Sequence, residues 1–389
     1  MLRPHPIAVS EADLADLHHR LDSARWPDPL PNTGWSLGMD HDVLRAVVDR
    51  WRHGFDWRVH EAWLNRYPSY VHEVGEDRLH VIHARSSVAG ALPLVLLHGW
   101  PSAVSEFRRV VGPLLDPVAH GGEASDAFDV VLVSLPGFGW SGPTRTVGWD
   151  ANRMADGVSR AMTALDIERF GVFGTDAGAY VATALASFDA ARVVGLHLQL
   201  GGVAMTQRAR AAHTVDDDLT DVERQAFVDV ERYEKLDSGY ALLNGTKPLT
   251  LGFALTDSPV GQAAWILEKF HTWTGADDRD AGAPFGEIAV DDVLAIVSTY
   301  WFTRTAGSAA RFYADAGVTL ARDGLPRVDR PTGCAVFPAD IVRPSRRWAE
   351  RSYPNIVQWT EMACGGHFGA LEVPDLLVAD LRMFFRGLR

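Results

Sequence analysis

Cysteine is nearly absent from this chain: Cys334 and Cys364 are the two among 389 residues. They allow one disulfide at most, which excludes a disulfide-stapled scaffold. Nothing marks export, so two reduced thiols in a cytoplasmic protein are expected. The opening MLRPHPIAVSEADL lacks the apolar centre of a signal peptide. No segment reaches the roughly 18 apolar residues of a membrane span. HExxH, CxxC and the EF-hand loop are missing, so neither a metal nor a cofactor is expected. Lys and Arg form no dense run and the formal charge is −13, which argues against nucleic-acid binding. With 47% apolar and 22% charged residues, the composition is that of a soluble globular protein.

Residues 1–67 read as a Trp-rich helical segment. Ser10 and Asp13 form a capping-box pattern ahead of Leu14, Leu17 and Leu21. From about residue 68 the pattern changes. SYVHEV and RLHVIHAR flank Gly75 and read as a hairpin. LPLVLLHG and FDVVLVSLPG are continuous apolar runs ending in glycine, as expected of strands buried on both faces of a parallel sheet. MADGVSRAMTALDI, RFGVFG, VATALASF and VVGLHLQL continue an alternation of helix and strand. The fold class is therefore α/β, with ligands expected at the carboxyl ends of the strands. Residues 203–320 interrupt the alternation with helical, aromatic-rich sequence; the acidic VDDDLTD within them reads as a solvated helix start. An insertion of this size after the sixth predicted strand is expected to form a lid. The core then comprises residues 68–202 and 321–389, closing with TGCAVFPADI, NIVQWTEMA and VPDLLVADLRMFFRGL.

The stretch GTDAGAY, Gly174–Tyr180, sits between a predicted strand and a predicted helix. A G-x-S-x-G turn in that setting is the nucleophile elbow of the α/β-hydrolase fold. Here the central residue is Asp176. Serine must lose a proton before it can attack, whereas a carboxylate with an ordinary pKa near ~3.9 is already ionised at neutral pH. Asp176 is therefore suited to attack a saturated, electrophilic carbon and form an alkyl ester. A base is then needed to activate the water that cleaves the ester. His367, in GGHFGALEVP after the last predicted strand, is the candidate. Asp340, in FPADI, is the expected orienting acid, in the chain order nucleophile, acid, His; Glu361 is the weaker rival. The backbone N–H groups of Trp100, in HGWP, and of Ala177 are the expected oxyanion-hole donors. His98 in the same motif reads as a structural hydrogen-bonding residue.

Together these pieces resemble the epoxide hydrolases of the microsomal type. The resemblance rests on HGWP at 98–101, LPGFGWS at 135–141, GTDAG at 174–178, SGYALLNGTKP at 238–248 and FALTDSPVGQAAWILEKFHTW at 253–273. RFY at 311–313, FPADI at 337–341 and GGHFGALEVP at 365–374 complete it. It covers nearly the whole chain, including the amino-terminal segment, which resembles that family's helical meander. The absence of a membrane helix matches the soluble microbial members. The resemblance implies that Tyr240 and Tyr313 hydrogen-bond the epoxide oxygen, as neutral phenols able to donate. Tyr233, Tyr300 and Tyr180 are weaker neighbours. It also implies a small-molecule epoxide substrate and leaves a homodimer open. Two departures stand out: Ala177 occupies a position where family members often have Trp, and HGWPSA replaces HGWPGS. A small Ala177 should widen the pocket. The sequence further resembles bacterial epoxide hydrolases of natural-product pathways, including those of enediyne antibiotics, which implies a bulky aryl epoxide. A haloalkane dehalogenase is the nearest rival, disfavoured by Ala177 and by the paired tyrosines. A non-catalytic ligand binder on this fold is the second rival, with little reason to keep all five side chains.

Overall fold

A computed structural model describes residues 2–199, 219–276, 280 and 282–389. The amino-terminal segment contributes helices α1 (Glu11–Asp22), α2 (His41–His53) and α3 (Trp57–Leu64). Each starts on a side-chain cap: Ser10, Asp40 and Asp56 accept from backbone N–H groups of the first turn, satisfying donors that a helix start leaves open. The segment also holds something that the helical reading omits, a strand β1 (Leu2–Pro4) antiparallel to β2 (Ser69–Val74). Three residues are too few to show a periodicity, and Pro4 suits an edge position. The Trp51 indole N–H donates to Ser298 Oγ at 2.8 Å, tying this segment to the helices that cover the sheet.

The sheet has nine strands among the described residues, in the order β1-β2-β3-β5-β4-β6-β7-β8-β9. β3 (Asp77–Ala84) pairs antiparallel with β5 (Phe128–Ser134). From β5 onward, through β4 (Leu92–Leu97), β6 (Phe170–Gly174), β7 (Val193–Gln199), β8 (Thr332–Val336) and β9 (Ile356–Glu361), every pairing is parallel. Leu94, Leu96, Val130 and Leu132 face one apolar cluster while Val95, Leu97, Val131 and Val133 face another. Both faces are dry, which explains why these strands read as unbroken apolar runs. Because β1 precedes the hairpin, the sixth strand of the sequence reading is β7 here.

The chain leaves β4 through α4 (Arg108–Leu115) to reach β5 on one side. It returns through α5 (Ala151–Ala164) to β6 on the other side of β4, then enters α6 (Ala177–Phe188). The strand order thus reverses at β4, and the loops leaving β4 and β6 splay apart there. This is the crevice where open α/β sheets bind ligands. Between β7 and β8 the described chain is helical: α7 (Asp221–Leu236), α8 (Gly239–Thr246), α9 (Pro248–Asp257), α10 (Pro259–Thr272), α11 (Val290–Thr303) and α12 (Ala306–Asp323). The 202/203 boundary and most of VDDDLTD lie outside the described residues. Thr220 caps α7 in a capping box with Glu223. After β8 come α13 (Arg346–Ser352), β9, the short α14 (Gly369–Glu372) and α15 (Pro374–Arg386). Among the described residues no helix is long and apolar enough to cross a membrane.

Candidate active site

The turn from β6 into α6 forces Asp176 to φ 48° and ψ −123°, a region that costs a non-glycine residue of order 1–3 kcal/mol. The turn is sterically closed around it. A Cβ on Gly178 would lie 2.1 Å from the Leu97 carbonyl oxygen, and one on Gly99 would lie 2.3 Å from both Cβ and Oδ1 of Asp176. Backbone of the loop that follows β4 therefore lies directly against the carboxylate. The Trp100 N–H donates to Asp176 Oδ1 at 2.8 Å, and Ala177 follows as the first residue of α6. Gly99→Ala is expected to displace the carboxylate. Catalysis should be lost, alongside about 1–3 kcal/mol of overpacking cost; turnover and thermal melting measured together would separate the two.

His367 stands on the other side. Its Nε2 is 3.6 Å from Asp176 Oδ2, and its Nδ1 is 2.8 Å from Asp340 Oδ1. Asp340 is oriented in turn by the Ile341 N–H at 2.8 Å. The loop that carries the imidazole is held from three sides. The His367 N–H donates to the Trp273 carbonyl at 2.9 Å. The Gln199 side-chain amide donates to the carbonyls of Gly366 at 3.0 Å and His367 at 2.6 Å. Ala339 and Gly366 form a β-bridge that joins the acid loop to the His loop. Glu361 ends β9 in an exposed position and takes no part in this pair.

Burial alone pushes the His367 pKa down, but the charges and hydrogen bonds of Asp340 and Asp176 outweigh it and raise the value to about 10. At neutral pH His367 is then an imidazolium between two carboxylates. A basic group raised on folding binds its proton more tightly in the native state. Its contribution to stability is complete below about 6.5, fades as pH rises, and is gone above about 10. Melting temperatures of the parent chain and of His367→Gln should therefore converge as the pH rises across that window.

Tyr240, at the start of α8, and Tyr313, on α12, form the opposite wall. The Trp100 ring stacks on Tyr240 at 4.9 Å and 11°, and meets Tyr313 edge-on at 6.0 Å. The two tyrosine rings are 5.8 Å apart at 83°. Burial first, and then neighbouring phenols and the Asp176 charge, push both hydroxyls well above the ordinary phenol range, so both keep their protons. Of the three weaker candidates, Tyr233 belongs here: its hydroxyl is 2.8 Å from that of Tyr240. Tyr300 is committed elsewhere, donating to the Ser102 carbonyl at 2.8 Å. Tyr180 packs beside Val230 and Val342. His98 is engaged on both ring nitrogens: its Nδ1 lies 3.0 Å from the Gly99 carbonyl, Nε2 accepts from the Leu135 N–H, and burial pushes its pKa down to about 4.

Four contributors escape a sequence reading. Trp273 and Gln199 act through backbone contacts that no local pattern records. Glu106 and Glu372 are buried carboxyls near His367. Burial pushes the first up to about 7 and the second up to about 8. The only sequence signal for them is an acid inside an apolar motif, SAVSEF and FGALEVP.

Residues 2–107 match the family model described as "Epoxide hydrolase N terminus", and residues 93–236 match the "alpha/beta hydrolase fold" model. A Stigmatella aurantiaca protein bearing an epoxide hydrolase name is 41% identical over 388 residues, covering 100% of this chain and 86% of that protein. Epoxide hydrolase 1 of Sus scrofa is 33% identical over 405 residues, covering 98% of this chain and 88% of the relative. The chain belongs to the epoxide hydrolases of the microsomal type. Solved epoxide hydrolase structures superpose along its whole length in two cases. The crystal structure of juvenile hormone epoxide hydrolase from Bombyx mori has a TM-score of 0.89 at 27% identity, covering 100% of this chain and 95% of that one. Aspergillus niger epoxide hydrolase has a TM-score of 0.83 at 26% identity, covering 100% and 97%. The α/β-hydrolase fold read from the sequence is thus the fold of this family.

Proposed function

We propose that this protein hydrolyses an epoxide to a vicinal diol through a covalent ester on Asp176. The observation that supports this most is one carboxylate set between a backbone donor and a His–Asp pair. Oδ1 is held by the Trp100 N–H, Oδ2 faces the His367–Asp340 pair, and the Tyr240 and Tyr313 phenols lie within reach of its charge. Oδ2 is then the attacking oxygen, since Oδ1 already occupies the donor site. Attack on an epoxide carbon breaks that carbon's bond to the ring oxygen. The alkoxide that develops is met by two O–H donors.

The proton balance closes within the site. Resting Asp176 is an anion beside the His367 imidazolium. Esterification removes the Asp176 charge, one of the two that hold the imidazolium proton, so that proton is released as the alkoxide becomes a hydroxyl. Neutral His367, oriented by Asp340, then takes a proton from the water attacking the ester carbonyl. The Trp100 and Ala177 N–H groups hold the oxyanion that forms on Oδ1. Collapse releases the diol and restores Asp176 and protonated His367; one epoxide and one water are consumed. A single turnover in isotopically labelled water is the test. The first diol should carry an unlabelled oxygen from Asp176, and full solvent label in that diol would rule the ester out.

A bulky aryl epoxide is the proposed substrate class. Ala177 puts only a methyl group beside the nucleophile, and Trp100, Trp273, Tyr240 and Tyr313 form an aromatic cluster next to it. Styrene oxide should exceed propylene oxide in kcat/KM; the reverse ranking removes the aryl preference.

A further inference from the structure

Lys269 has no assigned part in this chemistry, yet it is buried inside the helical layer with its side chain 6% exposed. It lies on α10 among Ile266, Leu267 and Phe270, all buried. Lysine is almost never placed so deep without a partner, because taking an ammonium out of water is costly. Methionine would fill the same space at no such cost. The position of the cation therefore calls for a reason, and its surroundings supply one.

The Lys269 Nζ sits 4.7 Å from the centroid of the Tyr240 ring and 5.8 Å from that of Trp273. It is 3.5 Å from the carbonyl of Asp237, the C-cap of α7, and 2.6 Å from Glu268 Oε2. The helix end and the carboxylate make the buried charge tolerable. The two ring contacts place it behind the active site. Tyr240 is the phenol proposed to meet the epoxide oxygen. Trp273 lies edge-on against the His367 ring at 4.8 Å and accepts the His367 backbone N–H.

We propose that Lys269 is a positioning residue for ring opening, its ammonium on the face of Tyr240 making that phenol a stronger hydrogen-bond donor to the epoxide oxygen. A cation over an aromatic face is attracted to its electron density, more so where water is excluded. Negative charge grows on the phenol oxygen as its O–H bond polarises towards the alkoxide it donates to. That charge spreads into the ring, so the attraction increases towards the transition state, which is the condition for an interaction to accelerate a step. Glu268 tempers the field without cancelling it. The effect belongs to ester formation, because ester hydrolysis does not draw on Tyr240.

The proposal rests on the epoxide reading above, and rapid-mixing kinetics with styrene oxide separate the two. Ester formation and ester hydrolysis are followed individually by quenching and intact mass. Lys269→Met should slow ester formation about 10- to 30-fold, the size available to a desolvated cation on a ring face, and leave ester hydrolysis within about threefold. Lys269→Arg should restore most of the loss. In a Tyr240→Phe background, Lys269→Met should cost almost nothing further, because the donor it acts on is gone. An unchanged rate of ester formation in Lys269→Met overturns the proposal, as does full additivity in the double variant or equal slowing of both steps without rescue by Arg. Should Lys269→Met fold poorly, Lys269→Gln and Tyr240→Phe/Lys269→Gln carry the same cycle, since glutamine also removes the charge. No ester in the unsubstituted chain would sink the epoxide reading together with this one.

Discussion

Asp176→Asn is expected to form no diol. The amide matches the carboxylate in shape, and its oxygen can still accept the Trp100 N–H that now reaches Oδ1 at 2.8 Å. The elbow therefore has no reason to open. The negative charge is what disappears, and with it the nucleophile that attacks a saturated carbon. Residual binding by the phenols and the aromatic walls cannot replace it, so turnover should fall on the order of 10⁴-fold or more. His367 also loses one of its two carboxylate partners, so its imidazole should titrate at lower pH in the variant. Product assay on styrene oxide, with intact mass to look for a covalent adduct, checks both halves. Diol formation within about tenfold of the parent would remove Asp176 from the chemistry.

His367→Gln should give a different failure: the chain should load once and stop. Asp176, Tyr240 and Tyr313 remain, so the ester can still form, and its mass should appear on the protein. Its formation should slow, because the imidazolium that supplies the balancing proton is missing. Hydrolysis should fall much further, about 10²–10⁴-fold, the span that a positioned general base contributes. Substrate is then consumed to one equivalent per chain. Asp340→Asn should give a milder version of the same pattern, since His367 Nδ1 would keep an acceptor at 2.8 Å but lose the charge that favours its protonated form. A His367→Gln chain that turns over freely, with no ester on it, would assign the base elsewhere. Glu106 and Glu372 are the nearby buried carboxyls to examine then.

The residues proposed to carry the chemistry could be picked out because each lies in a local pattern. Asp176 has glycines two residues to either side, between an apolar run and a helix. His367 follows two glycines at a strand end, and Asp340 follows CAVF. Unbroken apolar runs marked the parallel strands, since burial on both faces removes alternation. β1 was not legible, because three residues carry no period. No local pattern marks Tyr233, because what places it is a hydroxyl contact with Tyr240 across a turn between helices.

What the sequence determined by itself is the residue set on which the proposed chemistry rests: an Asp at an elbow, with a His and an acid in the chain order of the fold. What only the tertiary structure decided is how that chemistry is poised. The reversal of strand order at β4 brings the Trp100 N–H onto Asp176. Gln199 and the Trp273 carbonyl, remote in sequence, fix the His367 loop. Two carboxylates closing on one buried imidazole set its charge. These effects depend on distances between side chains far apart in the chain, on desolvation and on Coulomb's law, and local sequence patterns carry none of the three.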